Sequence, residues 1–372
     1  MRQNNKSILI ISQSGRALAA SAARAGLPVT VIDRFADTDS QSLASKCFAV
    51  EADGMGLDNN HLRAILQSIP EETVAGVITG SGLERSTDLI ADLPESWPYY
   101  GNPPAVWRSC NDPMAFTAML DSLDIRYPET QLDRPAESAG WLVKQKNAAG
   151  GSHVTFLLEE PAYTENVYFQ KYLEGRNISV VFLANADNGV MIGVSDTEVA
   201  NRKQGDFRYC GAVSSVTIAA AVEQQLRDIV TRLVRRLALR GLCGIDVIID
   251  NREQCWLLEL NPRPTATFEL YEREKSLLDA HISACQGQLP RLPTVTGCSG
   301  QHVFYTDVDV QIPSLEWPAW VTDRPVAGRV INTGEPVCTV HAHGNAPEKV
   351  RHDLQLRTGW LQEQFGKHCH AA

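Results

Sequence analysis

The sequence predicts an α/β fold that opens on a parallel sheet and continues in mixed strands and helices. Three observations carry the prediction. Residues 7–12 and 29–32 are apolar, β-branched runs on either side of an Ala-rich helical stretch at 16–24, the strand–helix–strand order of a parallel sheet. Residues 215–240 carry Val222, Leu226, Ile229, Leu233 and Leu237 at spacings of three and four, which is the apolar stripe of a long helix. Residues 244–263 hold two apolar runs around the polar turn Asp250-Asn251-Arg252-Glu253, a hairpin signal.

The elements follow in order. Gly15 precedes the first helix and Asp33 ends the second strand, a pattern that invites a dinucleotide site. Residues 12–17 hold one glycine where that fingerprint needs three, so Gly15 is read as a turn glycine, with a loop that touches a substrate as the alternative. A helix at 62–69 and a buried strand at 75–79 lead into Gly80-Ser81-Gly82-Leu83-Glu84. At the carboxyl end of a parallel strand, such a loop is either a plain turn or a ligand loop. Pro103 and Pro104 close this unit near residue 105. Residues 105–123 are helical and broken at Asn111-Asp112-Pro113, where Asp112 caps and Pro113 starts the second helix.

A strand at 141–144 feeds Lys144-Gln145-Lys146-Asn147-Ala148-Ala149-Gly150-Gly151-Ser152-His153, and the chain returns as a strand at 154–158. Backbone N–H groups of such a loop cradle phosphate oxygens, and a lysine adds a point charge. A mobile hairpin tip fits the same residues, and no Gly-Lys-Ser/Thr motif is present. Strands follow at 177–184 and 190–195. The polar stretch 201–211, with Arg202, Lys203, Arg208 and Tyr209, suits either a substrate-side loop or a solvated one. Past the hairpin, the residues predict a helix over 272–285, a strand at 301–305 and a short strand at 336–340. His341 with His343, and His368-Cys369-His370, have the residue types of a transition-metal grip; surface and tail positions are the commoner reading.

The hairpin is the most informative stretch. Pairing Asp250 with Cys255 sets Asp246 opposite Glu259, and Glu259 and Asn261, two apart, share one face. Two carboxylates and an amide oxygen then surround one volume, with Arg263 beside it. Mg²⁺ takes such oxygen ligands and shares them with phosphates. An ordinary hairpin with a solvated acidic rim is the alternative.

Composition narrows the partners. The 372 residues are 44% hydrophobic and 21% charged, with a formal net charge of -10. No basic cluster stands on an aromatic background, so nucleic acid is not expected, and no apolar run is long enough for a membrane span. The start lacks a signal peptide's apolar region. Nine scattered cysteines without CxxC pairs argue against a disulfide framework and structural zinc, and for a reduced, cytoplasmic setting.

Taken together, Lys144, the Gly150-Gly151 loop, residues 170–173 and Asp246…Glu259-x-Asn261-x-Arg263 resemble, in order and spacing, an ATP-grasp ligase. The resemblance covers about residue 3 to about residue 350, and Glu259-Leu260-Asn261-Pro262-Arg263 is its most specific part. It implies an α/β N-terminal open parallel sheet followed by α+β ATP-grasp lobes. The expected division is an N-terminal domain at 1–105, a lobe with the glycine loop at 106–180, a lobe with the Mg-binding hairpin at 181–300, and C-terminal strands and tail at 301–372. The resemblance implies ATP with Mg²⁺, for which Mn²⁺ substitutes. Lys144, with Lys146, would meet the phosphates, and Gly150, Gly151 and Ser152 would close over them. Gln170, Lys171, Tyr172 and Leu173 would meet adenine, and Glu174 or Asn177 the ribose. Asp246, Glu259 and Asn261 would hold the metal, Arg263 and Lys144 would steady the transferred phosphoryl, and Arg202, Lys203 or Arg208 would pair with a substrate carboxylate.

One departure stands out. The family places a first lysine where this chain has Asn111-Asp112-Pro113, which leaves Arg108, or Lys144 and Lys146 with Mg²⁺, to carry the charge. Asn177 also stands where many relatives carry glutamate. The implied chemistry is attack of a carboxylate on MgATP, then capture of the acyl phosphate by an amine, giving an amide, ADP and phosphate. The 80–84 loop, the 111–113 segment and residues 207–209 look similar to a subgroup that joins glutamate to an aromatic amine. That subgroup includes the tyramine–glutamate ligase of methanofuran biosynthesis and relatives tied to methanopterin-dependent one-carbon metabolism. The alternatives are another ATP-grasp amino-acid or peptide ligase, a carboxylase-like relative, and a non-catalytic nucleotide-binding protein. The expected partners are small-molecule carboxylate and amine substrates, with a homodimer as the default assembly.

Overall fold

The structure is a computed structural model that describes residues 6–53, 56–158, 166–201 and 204–368. Its N-terminal sheet is parallel, with strands in the order Lys46–Ala49, Val29–Asp33, Ser7–Ile11, Val74–Thr79 and Tyr99–Tyr100. The chain leaves Ser7–Ile11 to one side and returns on the other, so the strand order reverses there. The loops at the carboxyl ends of Ser7–Ile11 and Val74–Thr79 therefore lie side by side. Gln13 N donates to Ser81 O at 2.6 Å and Gly80 N to Ile11 O at 2.8 Å. A side chain at Gly80 would meet Ser12 Oγ at 2.3 Å, so this approach requires glycine. Open α/β sheets bind ligands at such a reversal.

Two helices, Pro104–Asn111 and Pro113–Ser122, meet at Asp112, whose carboxylate accepts from Met114 N and Ala115 N. The cap and the N1 proline are where the sequence puts them. Beyond them a four-stranded antiparallel sheet runs Val154–Phe156, Trp141–Gln145, Val167–Lys171, Thr130–Gln131. Its buried core is small: Trp141, Val143, Leu157 and Phe169.

The large sheet has eight antiparallel strands, in the order Cys255–Asn261, Arg240–Ile249, Arg176–Asn185, Gly189–Asn201, Asp206–Ser214, Cys298–Tyr305, Pro336–Gly344, Val321–Thr322. Residues 178–184 of the third strand are buried throughout because both faces are covered. Ile178, Val180 and Phe182 pack with Leu226, Val230 and Leu233 of helix Ala220–Leu237. Val181 and Leu183 pack with Leu278 and Ala284 of helix Leu277–Cys285 and with the N-terminal domain. The sheet runs without a break through residues 180 and 300, and helix Pro347–His368 lies against its C-terminal strands.

Several boundaries differ from the expectation. The strand expected at 190–195 runs Gly189–Asn201, and residues 206–211 of the expected polar loop belong to strand Asp206–Ser214, paired on both sides in the large sheet. The long helix is Ala220–Leu237, not 215–240, because Ala219 is extended with ψ of 147° and Ala238 is left-handed with φ of 49°, both outside helical space. The helix expected over 272–285 begins at Leu277, where Ser276 Oγ accepts from Asp279 N at 3.1 Å, and Ala266–Tyr271 is a 3₁₀ turn. The strand expected at 336–340 extends to Gly344. Within it His341 Nε2 bonds Thr322 Oγ1 at 2.7 Å and His343 Nδ1 bonds Ser299 Oγ at 3.1 Å, so both rings serve the sheet. Cys369 and His370 lie outside the described residues.

Candidate active site

The hairpin sets the site. Ile249 pairs with Cys255 and Val247 with Leu257, but Asp246 pairs with Glu259. Leu258 is thus an extra residue, a bulge that shifts the register by one. Asp250 N accordingly donates to Gln254 O at 3.1 Å, and the expected Asp250–Cys255 pairing is off by one. The Asp246–Glu259 pairing holds because the bulge restores the count. On the next strand over, Ser179 pairs with Asp246, and its hydroxyl bonds the carboxylate. Asn261 Nδ2 donates to Asp246 Oδ2 at 3.2 Å, which leaves the Asn261 amide oxygen for another partner.

These residues line a cleft of about 380 Å³. Lys144 and the glycine loop line it from the four-stranded sheet, and Gln13, Ser81 and Gly82 from the switch point of the parallel sheet. The charges are strongly perturbed. Burial, then the Asp246 carboxylate, push Glu259 up to about 7, against Arg263 and Lys144. Burial also raises Asp246, offset by Ser179 and Arg263. Burial lowers Lys144, opposed by Glu259 and Asp246. Two carboxylates that each resist ionisation beside the other are relieved by a divalent cation. Among the described residues no group of three or more His, Cys, Asp or Glu converges. An oxygen-only set of two carboxylates and an amide suits Mg²⁺, which fills its shell with water and phosphate oxygens.

Arg263 is buried, and its Nε donates to Glu84 Oε1 at 2.8 Å. The other oxygen of Glu84 accepts from Gly82 N at 2.7 Å, and Asn111 Nδ2 donates to the Glu84 carbonyl at 2.9 Å. Asn102 anchors the same region, donating to Arg240 O and Pro262 O, both at 2.9 Å. The Gly80–Glu84 loop, which sequence alone leaves between turn and ligand loop, thus lines the cleft and orients its arginine.

The glycine loop reaches across to the large sheet. Gly150 and Gly151 have φ of 79° and 78°, and Tyr209 N donates to Gly150 O at 3.0 Å. A Cβ on Gly151 would lie 2.0 Å from Phe207 O. Phe156 packs edge-on against Tyr172 and Phe207, with centroids at 5.3 and 5.4 Å. At the other end of the cleft Tyr172 N donates to Gly140 O at 2.9 Å. Lys171 Nζ sits 5.0 Å over the Trp141 ring, a cation–π contact, so its backbone rather than its charge faces a base. Asn177 Oδ1 is buried without a partner, as an acceptor waiting for a ligand hydroxyl would be.

The structure brings together Lys144, Gly150, Gly151, Gln170, Lys171, Tyr172, Leu173, Asn177, Asp246, Glu259, Asn261 and Arg263. Lys146, Ser152 and Glu174 are not in the cleft lining. Neither is Arg208, because its guanidinium bonds Asp206 at 2.6 Å and Gly334 O at 3.0 Å and lies over Tyr305. Arg108 is exposed and paired with Asp88 at 3.3 Å, so it does not replace the missing lysine. Arg202 and Lys203 lie outside the described residues. Ser179, Thr265 and Thr267 line the cleft and were not singled out from sequence, whereas Gln13, which also lines it, lies in the 12–17 loop for which a substrate contact was the alternative to a plain turn. Ser179 was findable, since strand alternation puts it on the face of Asn177; Thr265 and Thr267 follow Arg263 in a 3₁₀ turn that carries no periodic signal.

Residues 110–267 match a family model described as an ATP-grasp domain. No curated protein sequence matches the chain. Among solved structures it is similar to the L-amino acid ligase from Bacillus licheniformis, at 14% identity and TM-score 0.69, covering 95% of this chain and 97% of that one. The carboxyaminoimidazole ribonucleotide synthase from Aspergillus clavatus, complexed with ATP, matches at 14% identity and TM-score 0.70 over 98% and 100%. The biotin carboxylase domain of the Hydrogenobacter thermophilus 2-oxoglutarate carboxylase, in complex with MgADP and bicarbonate, matches at 12% and 0.69 over 91% and 86%. At these identities the likeness is one of fold.

Proposed function

We propose that this chain, a member of the ATP-grasp superfamily, is an ATP-dependent ligase that joins a carboxylate to an amine through an acyl phosphate. The observation that carries this reading is one cleft lined from two sheets: Lys144 and the Gly150-Gly151 loop from one, Asp246, Glu259, Asn261 and Arg263 from the other. Mg²⁺, when bound, neutralises charge on the phosphates. Asp246, Glu259 and the Asn261 amide oxygen are the residues that hold it. Lys144 and the loop amides hold the phosphate chain, and the backbone of residues 171–173 and Asn177 hold the nucleoside. A substrate carboxylate oxygen bonds to the γ-phosphorus while the bond to ADP breaks. The amine nitrogen then bonds to the acyl carbon as the carbon–phosphate oxygen bond breaks, and phosphate leaves carrying the proton that the nitrogen loses. Arg263, held by Glu84, faces the charge that develops on the phosphoryl and acyl oxygens. The seated glycine loop keeps water from the acyl phosphate.

For substrates we infer L-glutamate and an aromatic amine such as tyramine or tyrosine. Support comes from the likeness of the 80–84, 111–113 and 207–209 segments to that subgroup, and from Tyr172, Phe207 and Tyr209 in the cleft lining. The test is phosphate release from MgATP with L-glutamate and a panel of amines added singly, with product mass as readout. A mass of glutamate plus amine minus water supports the full reading. Release with a different amino-acid pair keeps the ligase and replaces the substrates. Nucleotide binding with no release under any pair overturns the ligase.

A further inference from the structure

A nucleotide is polyanionic, and the cleft offers it few cations. Among the described residues that line it, only Lys144, Lys171 and Arg263 are basic. Lys171 lies over Trp141 and Arg263 is bonded to Glu84. Lys144 is left to face Glu259 and Asp246. One further donor stands at the phosphate end. A recess of about 120 Å³ opens between Lys144, Gly151 and Glu259, and His153 lines it. His153 lies at the base of the glycine loop on the strand pair that carries Lys144, with its carbonyl accepting from Gln145 N at 3.3 Å. Its ring donates to the Ala149 carbonyl, and its Nδ1 is buried with no partner.

We propose that His153 is a phosphate ligand, its Nδ1 completing with Lys144 the cationic end of the nucleotide site; this rests on the ATP-dependent reading above. The hydrogen bonding fixes the chemistry. Ala149 O takes the proton on Nε2, so Nδ1 of the neutral ring is an acceptor. A phosphate oxygen is also an acceptor, so Nδ1 must gain a proton to bond it while the Ala149 bond stays. Nucleotide binding therefore takes up a proton, and the imidazolium then donates from both nitrogens. The groups around the ring agree. Burial, then Lys144 on Trp141–Gln145, lower its pKa to about 4 and keep the ring neutral. Burial holds the Cys110 thiol of helix Pro104–Asn111 and the Tyr168 phenol of Val167–Lys171 in their neutral forms. Among the described residues that line the recess, Glu259 is the one acid. The Pro113 side of the recess carries no charge.

Calorimetry with ADP and with adenosine, in two buffers of different ionisation enthalpy, tests this on the full chain. For His153→Ala the ADP affinity is expected to fall about tenfold with adenosine unchanged, the scale of one charge-assisted hydrogen bond. The wild-type protein takes up a proton with ADP and none with adenosine, and His153→Gln loses that uptake. His153→Lys restores most of the ADP affinity. Unchanged ADP affinity in His153→Ala, or wild-type binding without proton uptake, overturns the proposal and leaves the ATP-dependent reading standing. A wild-type protein that binds neither ligand overturns both.

Discussion

The two walls of the cleft are built to different stiffness. Asp246, Glu259 and Asn261 sit on an eight-stranded sheet whose central strand is packed on both faces. Lys144 and the glycine loop sit on a four-stranded sheet with Trp141, Val143, Leu157 and Phe169 as its buried core. Regions with few buried apolar contacts open at lower free energy. The comparison teaches a division of labour: metal ligands need fixed geometry, whereas a cover over the phosphates has to open and close.

The largest effect should come from the stiff wall. Glu259→Gln keeps the volume but removes a charge from the metal set. Turnover is expected to fall about a thousandfold, on the order of 4 kcal/mol of barrier, with the fold intact. Phosphate release and circular dichroism on the purified variant check it. Turnover within a few-fold of wild type would take Glu259 out of the metal set.

The same wall carries an acid-sensitive joint. His281 Nδ1 accepts from Leu242 N at 2.8 Å and its Nε2 bonds Tyr100 O at 3.0 Å. Burial lowers its pKa to about 4, against about 6.5 in an unfolded chain. The unfolded state then binds the proton first. The neutral ring's contribution is complete above about pH 6.5 and is lost as pH falls toward 4, about 3 kcal/mol in all. Denaturant unfolding at pH 7.5 and pH 4.5 should show a smaller pH difference for His281→Gln than for wild type. Equal differences would show that the acid sensitivity lies elsewhere.

On the thinner wall the expected effect is smaller and different in kind. Gly151→Ala puts a methyl against Phe207 O and strains a φ of 78°, so the loop cannot seat. Turnover should drop about thirtyfold, near 2 kcal/mol, while adenosine affinity is unchanged. A parallel loss of adenosine affinity would mean that the substitution disturbs the whole lobe rather than its cover.

The division between walls also explains what sequence made legible. The hairpin's acidic pair was readable because alternation and a polar turn fix which side chains share a face. The assumed Asp250–Cys255 register was wrong by one and the Leu258 bulge cancelled it, and no propensity rule places a bulge. The Asp112 cap and Pro113 start were readable because they are local chemistry. Arg208 looked like a substrate contact because a basic residue on a polar stretch carries no sign of its partners; Asp206, two residues away, and Gly334, far along the chain, claim it. The C-terminal strands were visible as short apolar runs, but their pairing into the large sheet is a long-range event. Asn177 was expected at the ribose from the resemblance, whereas the unpartnered ring nitrogen of His153 follows from how the folded chain packs and has no signal in sequence.

Lys144→Ala gives the smallest effect and tests both walls at once. Its ammonium lies in the field of Glu259 and Asp246, which raise its pKa while burial lowers it. Removing it takes a cation from the phosphates, and MgADP affinity is expected to fall about tenfold, near 1.4 kcal/mol. The same change leaves the two carboxylates with Arg263 as their remaining neighbouring cation. Binding of Mn²⁺ to the nucleotide-free protein, as a probe for Mg²⁺, should therefore tighten as MgADP weakens, because the cation now relieves more repulsion. Titrations of the variant with Mn²⁺ alone and with MgADP separate the two. If both weaken, the lysine orders the metal wall rather than serving the phosphates. If neither moves, the two walls are not electrostatically coupled through Lys144.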